Sequence, residues 1–186
     1  NYMIDSGVAE VLTCPFADEI KRDLIDWANG QQCSVVAGGA HKTKNYTRPE
    51  TLGLKKLFSW IQSNLAEISV KLSQDTGSLY NLPDKNNVRN FRIDSYWLLN
   101  YPLNSWVEAH NHFPHAISFG YYINIPDKSA PLILDNHRIY VKEGQLITFM
   151  SHKMHWVPPA TVNGRTLIAG DVAYLSRFLN EGYSLN

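Results

Sequence analysis

Apolar residues in the first part of the chain recur at helical spacing. Phe16, Ile20, Leu24 and Trp27 stand three and four apart and define one face of a predicted helix. Asp18 and Glu19 fall in its first turn, where carboxylates complement the helix dipole, and Asn29-Gly30 ends it. A longer stripe of Leu54, Leu57, Phe58, Ile61, Leu65, Ile68 and Leu72 predicts a second helix. Pro49 and Glu50 mark its start and Gly77 its end. Between the two, Ser34 to Ala37 reads as a short strand before Gly38-Gly39.

From about Val88 the period changes. Short apolar and aromatic runs alternate with Pro, Asn, Asp and Gly: Phe91–Tyr101, Ala116–Ile125, Leu132–Leu134, His137–Val141, Gln145–Met150 and Thr166–Tyr174. Each is strand-sized, and the spacing suits a sandwich or barrel of antiparallel strands. Pro126-Asp127, Asp135-Asn136 and Glu143-Gly144 carry turn chemistry. The pattern predicts an α+β domain, mainly β, with two N-terminal helices packed on one face of a β-sandwich. The whole chain, 1–186, reads as one domain. Within it, 1–87 form a helical buttress with edge strands, and 88–176 form the β core.

Composition narrows the function classes. The 186 residues include 17 basic and 17 acidic side chains, for a formal net charge of zero. No basic run or acidic tail stands out, so there is no clear nucleic-acid signal. Two cysteines, Cys14 and Cys33, make neither a disulfide framework nor a zinc knuckle, and both read as buried free thiols. No apolar stretch approaches the ~20 residues of a membrane span, and Asn1 to Ala9 lack a signal-peptide pattern. The expectation is a soluble protein without membrane partners in a reducing cytoplasm, the host's if the chain is phage-encoded.

Histidine placement supplies the first chemical signal. Of seven histidines, six lie between His110 and His155. In a strand, residues i and i+2 share a face, so His110 and His112 would project together and offer two adjacent corners of a metal site. His155 is the leading candidate for a third ligand. Ten residues later Arg165 opens the apolar run Thr166-Leu-Ile-Ala-Gly170. An arginine on a core strand needs an anionic partner, because a lone buried cation costs several kcal/mol. The guanidinium fork matches a carboxylate in a bidentate way. Leu167 and Ala169 share its face and leave room for a small ligand. A single histidine on a β-sandwich is usually a polar core or surface residue, and His41, His137 and His152 read as surface or turn positions. His115, beside Pro114, reads as a mouth residue.

These residues resemble the Fe(II)- and 2-oxoglutarate-dependent oxygenases, and among them the small prolyl-hydroxylase-like members of phage and bacterial genomes. The resemblance spans about Phe91 to Tyr174. That family's pattern opens with a tyrosine nine residues before a His-x-Asp pair; here Tyr101 stands nine before His110-Asn111-His112. A strand ending in Tyr-Leu-Asn follows, matched by Tyr122-Ile123-Asn124. A Gly-x-Leu-x-x-Phe strand precedes the distal histidine, matched by Gly144 to Phe149 before His155. The arginine for the distal carboxylate of 2-oxoglutarate corresponds to Arg165.

The resemblance implies a double-stranded β-helix, or jelly roll. It also implies Fe(II) held by His110, His112 and His155, and 2-oxoglutarate held by Arg165 with Tyr122 and Tyr101. Oxygen (O2) would be the co-substrate of a dioxygenase that hydroxylates its substrate, with no catalytic side chain beyond the metal ligands. Two positions depart from the family. His112 replaces the usual acidic ligand, so three neutral imidazoles would leave the metal more positive than the common two-histidine, one-carboxylate triad. Leu167 stands where many members have serine, so that cofactor hydrogen bond is either absent or supplied elsewhere, with Tyr101 and Tyr122 as candidates. Trp106, Phe113, His115 and Trp156 flank the predicted mouth, as substrate contacts or as rim packing. The substrate classes left open are a protein side chain, an amino acid and a nucleotide. Two rivals remain: a cupin-like metalloprotein that does not use 2-oxoglutarate, and a non-catalytic jelly-roll binding module.

Overall fold

The computed structural model describes residues 8–73 and 91–174. In chain order the elements are β1 (Glu10–Thr13), α1 (Ala17–Asn29), β2 (Ser34–Val35), β3 (His41–Lys42), α2 (Leu52–Leu72), β4 (Phe91–Tyr101), β5 (Val107–His110), β6 (Ile117–Asn124), β7 (Leu132–Leu134), β8 (His137–Ile139), β9 (Gln145–Met150), β10 (His155–Val157) and β11 (Arg165–Tyr174). They form a seven-stranded sheet, β1-β9-β6-β11-β4-β3-β2, and a four-stranded sheet, β5-β10-β7-β8. Neighbouring strands pair antiparallel throughout. The two sheets face each other as a jelly roll.

Both predicted helices are present. The first buries Ile20, Leu24 and Trp27 and carries Asp18 and Glu19 in its first turn. The second starts at Leu52 rather than at Pro49-Glu50, because the Thr51 hydroxyl caps it by accepting from the Leu54 N–H at 3.2 Å. Asp23 of α1 also reaches this helix start, where its Oδ2 accepts from the Gly53 N–H at 2.9 Å. A Cβ at Gly53 would stand 2.3 Å from that oxygen and would push the Asp23 carboxylate off the helix start. The expected end at Gly77 and the change of texture at Val88 lie outside the described residues, as do 175 and 176. No described helix is long and apolar enough to cross a membrane.

The helices cover one face of the larger sheet. Leu54, Leu57, Ile61, Leu65, Ile68 and Leu72 of α2 pack with Leu24 and Trp27 against Phe91, Tyr96, Phe119, Tyr121, Ile168 and Val172. A second cluster fills the space between the sheets. There Trp97, Tyr101, Tyr122, Phe149, Leu167 and Ala169 of the larger sheet meet Leu132, Leu134, Ile139 and Val157 of the smaller. The strand runs predicted from about Phe91 onward all form, with β8 shorter than its run. Three further strands were not predicted: β1, β3 and β10 have two to four residues each. Runs that short hold no full period, and their partners lie far away in sequence; β1 pairs with β9 through Glu10↔Thr148.

One cysteine expectation is corrected. Cys14 is buried, but Cys33 is exposed. It sits just after α1 in a stretch whose neighbours also face solvent.

Candidate metal centre

The short strands carry the candidate ligands. β10 pairs with β5 so that His155 stands directly opposite His110. The chain leaves β5 after His110, so His112 is not on the same strand, contrary to the period-two expectation. Its N–H donates instead to the Ser151 carbonyl at 2.8 Å, just past the end of β9. This anchor turns the His112 ring back toward the other two. One nitrogen from each of His110, His112 and His155 lies within 4.8 Å of the others. Ring centroids are 4.2 Å apart for His110 and His155, 5.1 Å for His110 and His112, and 5.0 Å for His112 and His155.

Each ring is oriented through Nδ1. His110 Nδ1 donates to the Glu108 carbonyl at 2.8 Å, and His155 Nδ1 to the Lys153 carbonyl at 3.2 Å. His112 Nδ1 donates to the Asp171 Oδ1 at 2.7 Å. Backbone carbonyls can only accept, so His110 and His155 carry a hydrogen on Nδ1 and leave Nε2 to face a metal. Burial holds the His155 imidazole down to about 3, reinforced by the neighbouring imidazoles, and burial lowers His110 as well. These two rings are therefore neutral near pH 7. Trp97 packs 5.6 Å from the His112 ring and Phe149 4.8 Å from the His155 ring, limiting their freedom to swing away.

Arg165 opens β11 and is 1% exposed. Its Nε, Nη1 and Nη2 make no hydrogen bond among the described residues. The guanidinium lies 4.8 Å from the Tyr101 ring and 5.3 Å from the Tyr122 ring. Ring faces attract a cation weakly and leave its five N–H donors unused. Burial pushes the Tyr101 phenol up to about 12 and raises Tyr122 too, against the opposing pull of Arg165, so both keep their protons. A buried cation with idle donors beside two neutral phenols is a cradle for a small anion. Leu167 and Ala169 lie on the same face, as expected, and with Arg165 and the three histidines they line one cavity of about 560 Å³. That is an ordinary size for a ligand pocket.

Several weaker expectations are sorted by the same cavity. His115, Phe113 and Trp156 line it, and His115 Nε2 is 3.0 Å from Asp94 Oδ2. Trp106 does not line it; its backbone is held by Gly38, whose carbonyl accepts the Trp106 N–H at 3.0 Å. His41, His137 and His152 stand outside it too, the first two on the short strands β3 and β8.

Sequence reasoning missed two buried polar groups, Asp171 and Ser118. Asp171 is 6% exposed, and its Oδ1 accepts from both His112 Nδ1 and the Ser118 hydroxyl, the latter at 2.8 Å. A signal was present: positions 165, 167, 169 and 171 alternate onto one face, so an acid at 171 in an apolar run needed a buried partner as much as Arg165 did.

No family model matches the sequence, and no curated protein matches it. Solved structures do. A Pseudomonas putida prolyl-4-hydroxylase superposes with a TM-score of 0.64 at 16% identity, over 92% of this chain and 94% of that one. A viral collagen prolyl hydroxylase from Paramecium Bursaria Chlorella virus-1, in complex with 2OG, gives 0.67 at 10% identity, over 90% of this chain and 97% of that one. The alpha ketoglutarate dependent epimerase SnoN of nogalamycin biosynthesis gives 0.63 at 10% identity, over 97% and 86%. This chain shares their fold along nearly its full described length.

Proposed function

We propose that this chain is an Fe(II)- and 2-oxoglutarate-dependent oxygenase of the prolyl-hydroxylase-like fold, hydroxylating a substrate through O2. One observation carries the reading: three converging imidazoles and a buried guanidinium with no hydrogen-bond partner among the described residues share a single cavity. A metal site alone would explain the histidines and leave Arg165 as an uncompensated cost. A 2-oxoglutarate carboxylate accounts for both.

His110, His112 and His155 would hold the metal on one side and leave open positions toward the cavity. Arg165 would grip the distal carboxylate of 2-oxoglutarate in a bidentate fork, with the Tyr101 and Tyr122 phenols available as hydrogen-bond donors. Leu167, Ala169 and Trp97 would keep water from the reacting atoms. When bound, Fe(II) and 2-oxoglutarate together supply the oxygen-activating chemistry, with succinate and carbon dioxide as co-products. His115 and Trp156 lie toward the substrate side, among protein side chain, amino acid and nucleotide as classes.

The test is an anaerobic titration of the purified chain with Fe(II) and then 2-oxoglutarate. The expected result is a weak visible charge-transfer band that requires both additions, followed by succinate formation on admitting oxygen. A response to metal alone would favour the cupin-like alternative. No response to either would favour a binding module.

A further inference from the structure

We infer that Asp171 supplies, through His112, the negative charge that this metal centre lacks among its direct ligands. The inference rests on the reading above and adds to it a positioning residue that touches no cofactor.

The three ligand rings are not held alike. His110 and His155 donate to backbone carbonyls, which are neutral. Only His112 donates to a carboxylate, and that bond is the shortest of the three at 2.7 Å. The carboxylate itself is built in. Ser118 Oγ donates to Asp171 Oδ1 at 2.8 Å and lies 2.8 Å from Ser151 Oγ. Ser151 in turn receives the backbone N–H of His112 through its carbonyl. Side chain and backbone of His112 are thus fastened to one buried polar cluster drawn from β6, β11 and the end of β9. Asp171 Oδ2 faces the cavity mouth, 3.8 Å from His115 Nδ1.

Charge gives this cluster its purpose. A site of two histidines and one carboxylate lowers the net charge of a bound divalent ion by one. Three neutral imidazoles do not. A carboxylate accepting the outer N–H of a ligand histidine makes that ring a stronger donor and places the compensating charge one hydrogen bond further out. The acid is therefore displaced outward from residue 112 to Asp171, and it is the histidine at the substituted position that the acid contacts. An accidental buried acid would have had no reason to choose that ring over the other two.

The substitution Asp171→Asn keeps an oxygen that accepts from His112 Nδ1 and removes only the charge. Co(II) binding should weaken by about 10- to 100-fold, the range for outer-shell partners of metal-bound histidines, as measured by calorimetry. The Fe(III)/Fe(II) midpoint potential should move positive, because the ferric state loses more from the missing anion. Ser118→Ala, which leaves the charge in place, should leave the potential where it is. Unchanged affinity and potential in Asp171→Asn would overturn the inference. So would weakened affinity with an unmoved potential, which would make Asp171 a strut without an electrostatic part.

A measurement on the unaltered chain guards against a variant that fails to fold. In the Zn(II)-loaded, nitrogen-15-labelled protein, the His112 Nδ1 proton should resonate downfield of those of His110 and His155. A His112 proton at equal or higher field would overturn the assignment. Wild-type protein that takes up no Co(II) would defeat the oxygenase reading as well. Normal uptake by both wild type and Asp171→Asn, with an unmoved potential, would defeat this inference alone.

Discussion

The two faces of β11 show how differently one strand is used. Ile168 and Val172 point to the helices and are wholly buried in the larger apolar cluster. Arg165, Leu167, Ala169 and Asp171 point the other way and line the cavity. The helix side is filled, with Leu54, Leu57, Ile61 and Leu65 each at 0% exposure. The cavity side holds a cation unpaired among the described residues, a hydrogen-bonded acid and about 560 Å³ of space. On the first face stability comes from packing, where lost volume is penalised. On the second, stability is given up to prepare for ligands, and the same strand must bear both demands.

The sharpest break of this contrast comes from the cavity side. His155→Ala removes one of the three proposed ligands, and Co(II) affinity should fall by more than ~100-fold, since even outer-shell changes reach that size. The fold should persist, because β10 still pairs with β5 and β7. Calorimetry and iron content check it; unchanged iron would remove His155 from the site. Next in size, Arg165→Met should weaken 2-oxoglutarate by ~2–5 kcal/mol, the cost of truncating a buried charged partner. Metal affinity should hold. The ligand-free protein should melt at an equal or higher temperature, because an unpaired buried cation is replaced by an apolar chain of similar length. A clear fall in melting temperature would mean that Arg165 already contributes to the fold without its ligand.

That second prediction also explains which features were legible beforehand. The stripe from Leu54 to Leu72 is long enough to show its period several times, and α2 follows it almost to the residue. Arg165 stood out because its charge contradicts the apolar run around it. His110 and His112 stood out by number, although the two-residue period was only half the reason they meet. The Ser151 carbonyl that turns His112 inward lies 39 residues along the chain, by the difference of 151 and 112, and leaves no local trace. Asp171 obeys the same logic as Arg165, yet a single acid near a strand end is easily read as edge polarity. What resisted reading was pairing between distant short segments: β5 with β10, and β1 with β9.

On the helix side a larger volume change should reverse the pattern. Leu57→Ala should cost ~2–5 kcal/mol of stability through the cavity it leaves, read from denaturant midpoints. Co(II) and 2-oxoglutarate affinities should stay within about threefold, since distant sites act independently. A comparable loss of ligand affinity would show that the buttress tunes the site, and the two faces would then be one cooperative unit.

The smallest effect tests the contrast between adjacent residues. Ile168→Val and Leu167→Val each delete one carbon from neighbouring positions of β11. Ile168 is enclosed by the helix-side cluster, so the lost methylene leaves a new void and should cost ~0.5–1.5 kcal/mol. Leu167 already borders the open cavity, so its deletion enlarges a space that exists and forfeits fewer contacts. Its cost in stability should be the smaller of the two. The shifted shape should appear instead as a change in 2-oxoglutarate affinity, which Ile168→Val leaves alone. Equal melting shifts for both variants, with equal ligand binding, would mean that the packing on the two sides of the strand is the same after all.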